Sequence, residues 1–184
     1  MKATVLFFAF ALTACQPSAS APAPVVQTVG AASAPFVQYH TFAFGLAERP
    51  PAPYALSARS FEVERRAQAL IIAELTKRGY ALSEGKGDFL VRFSVGYAKE
   101  AIPQPGATEG SAGPTQYANV GELVIDAFDA SSSAQVWHGA AEAQIDPQKI
   151  NDRLLQTAVQ QLLARFPAQS VDTNGSGVTD RQPH

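Results

Sequence analysis

Two apolar stripes at helical spacing constrain the fold of this chain more than any other feature. Phe61, Val63, Ala67, Leu70, Ile71 and Leu75 recur with a helical period, and Glu62, Arg65, Arg66 and Lys77 occupy the other faces. Further on, Ile150, Leu154, Ala158 and Leu162 run down one line beside Leu155, Val159 and Leu163. A helix with one apolar stripe has to bury it, and two such helices call for a sheet face to cover. Ser57 or Ser60 can cap the first helix, and Lys77-Arg78-Gly79 ends it with cations and a glycine stop. Asp146 is expected to cap the second helix, with Pro147 at its first position and Phe166-Pro167 at its end.

The segments between the helices supply the sheet. Phe36 to Phe44 is β-branched and aromatic and reads as a strand. In Asp88 to Tyr97, Phe89, Val91, Phe93 and Val95 alternate with Leu90, Arg92 and Ser94, so one side belongs to the core. Gly121 to Phe128 and Gln135 to Ile145 are two further strands, joined by Asp129-Ala130-Ser131-Ser132-Ser133, whose turn chemistry makes them a hairpin. Gly45 to Tyr54 carries Pro50, Pro51 and Pro53 and is a loop. Ala101 to Tyr117, with three prolines and three glycines, is a long one. The order β-α-β-β-β-α predicts an α+β fold: a small, mainly antiparallel four-stranded sheet with both helices packed on one face.

The termini are expected to lie outside that domain. Met1-Lys2 is a short positive start, and the uncharged Ala3 to Ala14 has the length of a signal h-region. Leu12-Thr13-Ala14-Cys15 then resembles the lipobox at which signal peptidase II cuts before a cysteine that becomes lipidated; Cys15 is the only cysteine. Two or more acyl chains give stable membrane attachment where one gives marginal binding. Gln16, in place of Asp, favours the outer membrane by the sorting rule for such proteins. Residues 1–14 are therefore read as signal peptide and 15–35 as lipidated cysteine with a Pro/Ala/Ser-rich tether. Residues 36–167 are read as a periplasmic domain and 168–184 as a disordered tail.

Fourteen Lys and Arg against sixteen Asp and Glu, a net charge of −2, argue against a nucleic-acid-binding surface. No run reaches the ~18 apolar residues of a spanning helix. A single cysteine excludes a disulfide framework and any multi-cysteine zinc site.

Tyr39-His40-Thr41-Phe42-Ala43-Phe44, Lys77-Arg78-Gly79-Tyr80, Gly87-Asp88-Phe89-Leu90-Val91, Gly121-Glu122-Leu123-Val124-Ile125-Asp126 and Val136-Trp137-His138-Gly139 follow one another in that order. Together they resemble the bacterial lipoprotein family known as domain of unknown function 4136. Two positions depart mildly from the family pattern: Phe44, where a tryptophan is common, and His138, where a basic residue is common. The resemblance implies a lipoprotein domain and brings with it no activity, cofactor or catalytic residue.

The residues themselves offer little chemistry. No Gly-x-Ser-x-Gly elbow is present, and Gly85-Lys86-Gly87 lacks the spacing of a phosphate loop. Asp126, Asp129 and His138 can approach one another across the hairpin, as two carboxylates and an imidazole able to hold a metal with open positions. The plainer expectation is that Asp126 points outward and Asp129 bonds its own turn. Trp137, Tyr97 and Tyr117, near the loop at 101–117, are candidate contacts for a partner, with core packing the plainer expectation for Trp137. The leading expectation is thus a non-enzymatic, membrane-anchored binding or adaptor domain for an envelope protein, without cofactor or metal. The alternative is a small-ligand or metal-dependent periplasmic enzyme using His138 with Asp126 and Asp129.

Overall fold

The computed structural model describes residues 23–31, 34–46, 48–102 and 116–169. Leu12, Thr13, Ala14 and Cys15 lie outside the described residues, as do residues 16–22 and 32–33 of the segment read as tether, the middle of the 101–117 loop and the tail from residue 170. The elements are β1 (Val25–Gly30), a 3-10 turn (Phe36–Gln38), β2 (Thr41–Phe44), α1 (Ser60–Lys77), β3 (Ala81–Leu82), β4 (Phe89–Ile102), β5 (Gln116–Asp129), β6 (Gln135–Gln144) and α2 (Asp152–Leu163).

The α+β class holds, but the expected four-stranded, mainly antiparallel sheet does not. The sheet has six strands and is mixed, in the order β1-β6-β5-β4-β2-β3. β4, β5 and β6 form an antiparallel meander, whereas β2 runs parallel to both β3 and β4. The physical reason is the connection: β2 is followed by an eighteen-residue helix, and a crossover of that length returns the chain in the same direction. One additional strand, β1, is drawn from the segment read as tether. Val25 to Gly30 pairs along β6 from Glu142 to Trp137, so the folded unit begins well before Phe36. The other, β3, is two residues long and escapes any test based on periodicity.

Strand alternation sorts the side chains. Phe89, Val91 and Val95 of β4, Leu123, Ile125 and Ala127 of β5, and Trp137 and Ala141 of β6 share one face and join the buried cluster. Ala67, Ile71 and Leu75 of α1 and Ala158, Val159, Leu162 and Leu163 of α2 cover it. Both helices thus pack on the same face. Phe89 is fully buried among rings: Tyr39, Phe42, Tyr80 and Phe166 lie 5.2 to 5.9 Å away, centroid to centroid.

The end of α1 follows the sequence, but neither serine caps its start: Arg59 holds the N-cap position without a side-chain cap bond. The Ser57 N–H donates to Ser60 Oγ at 2.8 Å. At the other end Tyr80 N–H bonds Leu75 O at 3.2 Å and Gly79 N–H bonds Thr76 O at 3.0 Å, with Gly79 at φ +92°. That pair of bonds is the Schellman motif, and glycine takes the left-handed position without steric cost. α2 does not start where expected. Asp146 Oδ1 accepts from Gln148 N–H at 3.0 Å in a separate turn, and the helix is capped by Asn151, whose Oδ1 accepts from Leu154 N–H at 3.0 Å. Asp88 ties the parallel strands together at their entry: its Oδ2 accepts from the N–H groups of His40 and Thr41, each at 2.8 Å.

Candidate functional site

Three surfaces emerge, and the alternative constellation of Asp126, Asp129 and His138 is only partly assembled, with Asp126 and His138 on the first of them. The first is the face of the sheet turned away from the helices. Cross-strand register puts Arg92, Asp126 and His138 in one row, Ser94, Val124 and Ala140 in the next, and Gly96, Glu122 and Glu142 in a third. His138 Nδ1 lies 2.6 Å from Asp126 Oδ1, which also accepts from Gln135 Nε2 at 2.7 Å. The 48–54 loop leans over this face. Arg92 Nη1 donates to Glu48 Oε1 at 3.0 Å, and Tyr54 Oη donates to Glu142 Oε1 at 2.8 Å. Beneath it lies a cleft of about 630 Å³ that includes Glu48, Arg49, Ser94, Asp126 and His138.

Glu122 lines the same cleft, and its Oε2 is buried with no hydrogen-bond partner among the described residues. Burial, reinforced by the neighbouring carboxylates of Glu142 and Glu100 and opposed by His138, pushes its carboxyl above the usual range. An acid whose folded-state pKa is raised stabilises the fold in its protonated form. Its contribution therefore grows as pH falls through the raised value and is lost as pH climbs above it. Glu122→Gln is expected to raise the melting temperature at pH 8 and to flatten its dependence between pH 8 and 5. Parallel slopes for the two proteins in thermal scans would refute this.

Asp129 is absent from this group because it is an odd number of residues from Asp126, and alternation sends it to the other face. There Asp129 Oδ2 accepts from Tyr39 Oη at 2.7 Å. Its Oδ1 accepts from the N–H and hydroxyl of Ser131 at 3.0 and 2.6 Å, and from those of Ser132 at 2.7 and 2.8 Å. These bonds, the Ser131 hydroxyl foremost and Tyr39 next, hold its carboxyl well below the ordinary range. The turn also holds Ser133 at φ 59°. A depressed acid pKa contributes stability above the unfolded-state value of about 3.9 and loses it as pH falls below that. Asp129→Asn is accordingly expected to melt lower at pH 7 and to lose less stability than the parent between pH 5 and 2. Acid titration followed by circular dichroism checks both. Among the described residues, no group of three or more His, Cys, Asp or Glu side chains is placed to hold a metal.

The second surface is an apolar cleft of about 620 Å³ on the helix side. Val95, Gly121, Leu123 and Ala141 form its floor, Leu154, Leu155 and Ala158 of α2 one wall, and Ile145 and Ile150 of the β6–α2 connection its mouth. Short side chains leave the space: a Cβ on Gly121 would come within 2.9 Å of Ile145 Cδ1. Asp146 and Lys149 stand at the rim, paired at 3.2 Å.

The third surface was missed by the sequence reading. Phe61, counted there in the apolar stripe of α1, is 81% exposed, and Leu46 is 88% exposed. Both border a depression of about 250 Å³ together with Phe44, Arg65 and Phe93. Phe61 is the second residue of its helix, where the periodic stripe leaves the sheet it would cover; that terminal position is the signal that could have removed it from the core.

Of the expected partner contacts, Trp137 is turned inward at 3% exposure and meets Phe166 edge-on at 5.2 Å. Its indole fills the core instead of facing a partner. Tyr97 is half-buried, and Tyr117 is exposed near the start of β5. Both lie on the helix-side face of the β4–β5 pair, with register partners Gly121 and Ala101. Arg66, on a face of α1 away from the apolar stripe, is tied to Glu62 at 2.6 Å and to Asp152 of α2. No helix among the described residues is long and apolar enough to cross a membrane.

Comparisons with known proteins bear on the fold and the family. A PDZ domain protein from Parabacteroides distasonis is 17% identical with a TM-score of 0.53, over 80% of this chain and 37% of that one. The chain thus spans little more than a third of the length of that protein. A PelC dodecamer from Paraburkholderia phytofirmans is 12% identical, with a TM-score of 0.49 over 80% of this chain and 99% of the other. A DUF4136 family protein from Bacteroides thetaiotaomicron is 14% identical, with a TM-score of 0.49 over 78% and 95%. No curated protein matches. The pattern described as "Domain of unknown function (DUF4136)" matches residues 26–168, from the first residues of β1 to the turn after α2. On that match over most of its length, the chain belongs to the DUF4136 family.

Proposed function

We propose that this protein is an outer-membrane lipoprotein, anchored through Cys15 and facing the periplasm, whose domain binds an envelope protein without catalysing a reaction. The observation that carries the reading is the exposed pair Phe61 and Leu46 beside Arg65. Large apolar side chains held together in solvent around one depression, with an arginine at its edge, make an exposed apolar patch of the kind that marks an interaction site. Leu12-Thr13-Ala14-Cys15 supports the anchor. Confinement to a surface would raise the domain's effective concentration for neighbours on the same membrane.

Crosslinking and pull-down from intact cells test this with three proteins: native, Cys15→Ser, and the double variant Leu46→Ser/Phe61→Ser. One envelope protein recovered with the native chain and lost with both variants is the expected result. Because Phe61 and Leu46 are solvated, the double variant should melt within a few degrees of the parent. Equal recovery with all three, or none with the native chain, would overturn the reading.

A further inference from the structure

We infer that the helix-side cleft holds one acyl chain of the lipidated Cys15, so that the domain sequesters part of its own anchor. The inference rests on the lipidation reading above and concerns a different surface from the Phe61 patch. Three observations favour this occupant. The cleft is apolar and, at about 620 Å³, within the size range of small-molecule sites. Its edge includes Pro24, directly before β1, whose first residue pairs with Glu142 on β6. The polypeptide leading back to Cys15 therefore leaves from the rim of the cleft itself. The nine peptide steps from Cys15 to Pro24 reach about 30 Å when extended, enough to place the cysteine at the mouth.

Charge at the rim selects among apolar ligands. Asp146 and Asp152 stand there, with Lys149 already paired to Asp146 and Arg66 to Asp152. A free fatty acid or a phospholipid would bring an anion beside carboxylates whose cations are taken. The acyl groups of a lipidated cysteine carry no ionised group, so only apolar chain enters.

The test uses the full chain in cells fed a diazirine-bearing fatty acid, irradiated and analysed by mass spectrometry of the digested protein. The expected result is acylated Cys15 with intramolecular photoadducts on the peptides that contain Leu123, Leu154 or Leu155. Filling the cleft should cut the adduct yield at least ten-fold. Ala158→Phe is the first such variant and Ala143→Phe the second, should the first fail to fold by circular dichroism. Acylated Cys15 with adducts only to phospholipid or to other proteins would overturn the inference and leave the anchor reading standing. So would a yield unchanged by filling. An unacylated Cys15 would overturn both. A Cys15→Ser protein that purifies with phospholipid or free fatty acid in native mass spectrometry would assign the cleft to that occupant instead.

Discussion

Phe89→Ala is expected to lower the unfolding free energy by about 3–5 kcal/mol, the range for a large aromatic deleted from a core. Phe89 is fully buried, and four aromatic rings surround it. It also sits at the register where β2 and β4 run side by side, paired with Phe42. Its neighbours come from β2 and the residues leading into it, from the segment after α1 and from the turn after α2, so no single element can move in to fill the hole. The loss should appear in urea unfolding as a lower midpoint at nearly unchanged slope. Phe89→Leu should recover a large part of it. A change below about 1 kcal/mol for the alanine variant would mean that the ring cluster collapses around the gap far more completely than cores usually do.

Gly87→Ala is the second large effect, with a cost of about 1–3 kcal/mol from overpacking. A Cβ at this buried position would stand 2.6 Å from Ala43 N and 2.6 Å from the Phe42 carbonyl carbon. Both are backbone atoms of β2, held by pairing to β3 and β4. A side chain could rotate away; a strand in the sheet cannot. Gly85 is the internal control, because a Cβ there meets nothing within 4 Å. Gly85→Ala should stay within about 0.5 kcal/mol of the parent, as surface substitutions usually do. Equal melting temperatures for the two variants would show that the close approach is relieved by a small shift of β2.

Gly85 and Gly87 read alike in the sequence, as two glycines of one turn. Only one of them touches another strand, and that strand lies more than forty residues away in the chain. The same distinction runs through the molecule. Features set by neighbours along the chain were legible: both amphipathic helices, the glycine stop at Gly79, the alternation in β4 and the hairpin turn at Asp129. The fate of Asp129 was legible as well, since alternation alone separates it from Asp126 and His138. Contacts between distant segments were not. Val25 to Gly30, among alanines and prolines, has no pattern that separates a tether from an edge strand until β6 offers its free side.

The candidate surfaces divide the same way. The apolar character of Phe61 was plain, but its place at the first turn of α1, beyond the sheet, decides that it faces water. Trp137 was equally plain as an aromatic on a strand, and the ring of Phe166, twenty-nine residues on, decides that it faces inward. By itself the sequence determined the α+β class, the two helices, three of the strands with the hairpin at Asp129, the family and the motif at Cys15, because these depend on local pattern and composition. The tertiary structure alone decided the six-stranded mixed sheet, the entry of β1, the helix-side cleft and the exposed Phe61 patch. Each of these arises where segments far apart in the chain meet, and pairing partners and shape are properties of that meeting, with no counterpart in the order of the residues.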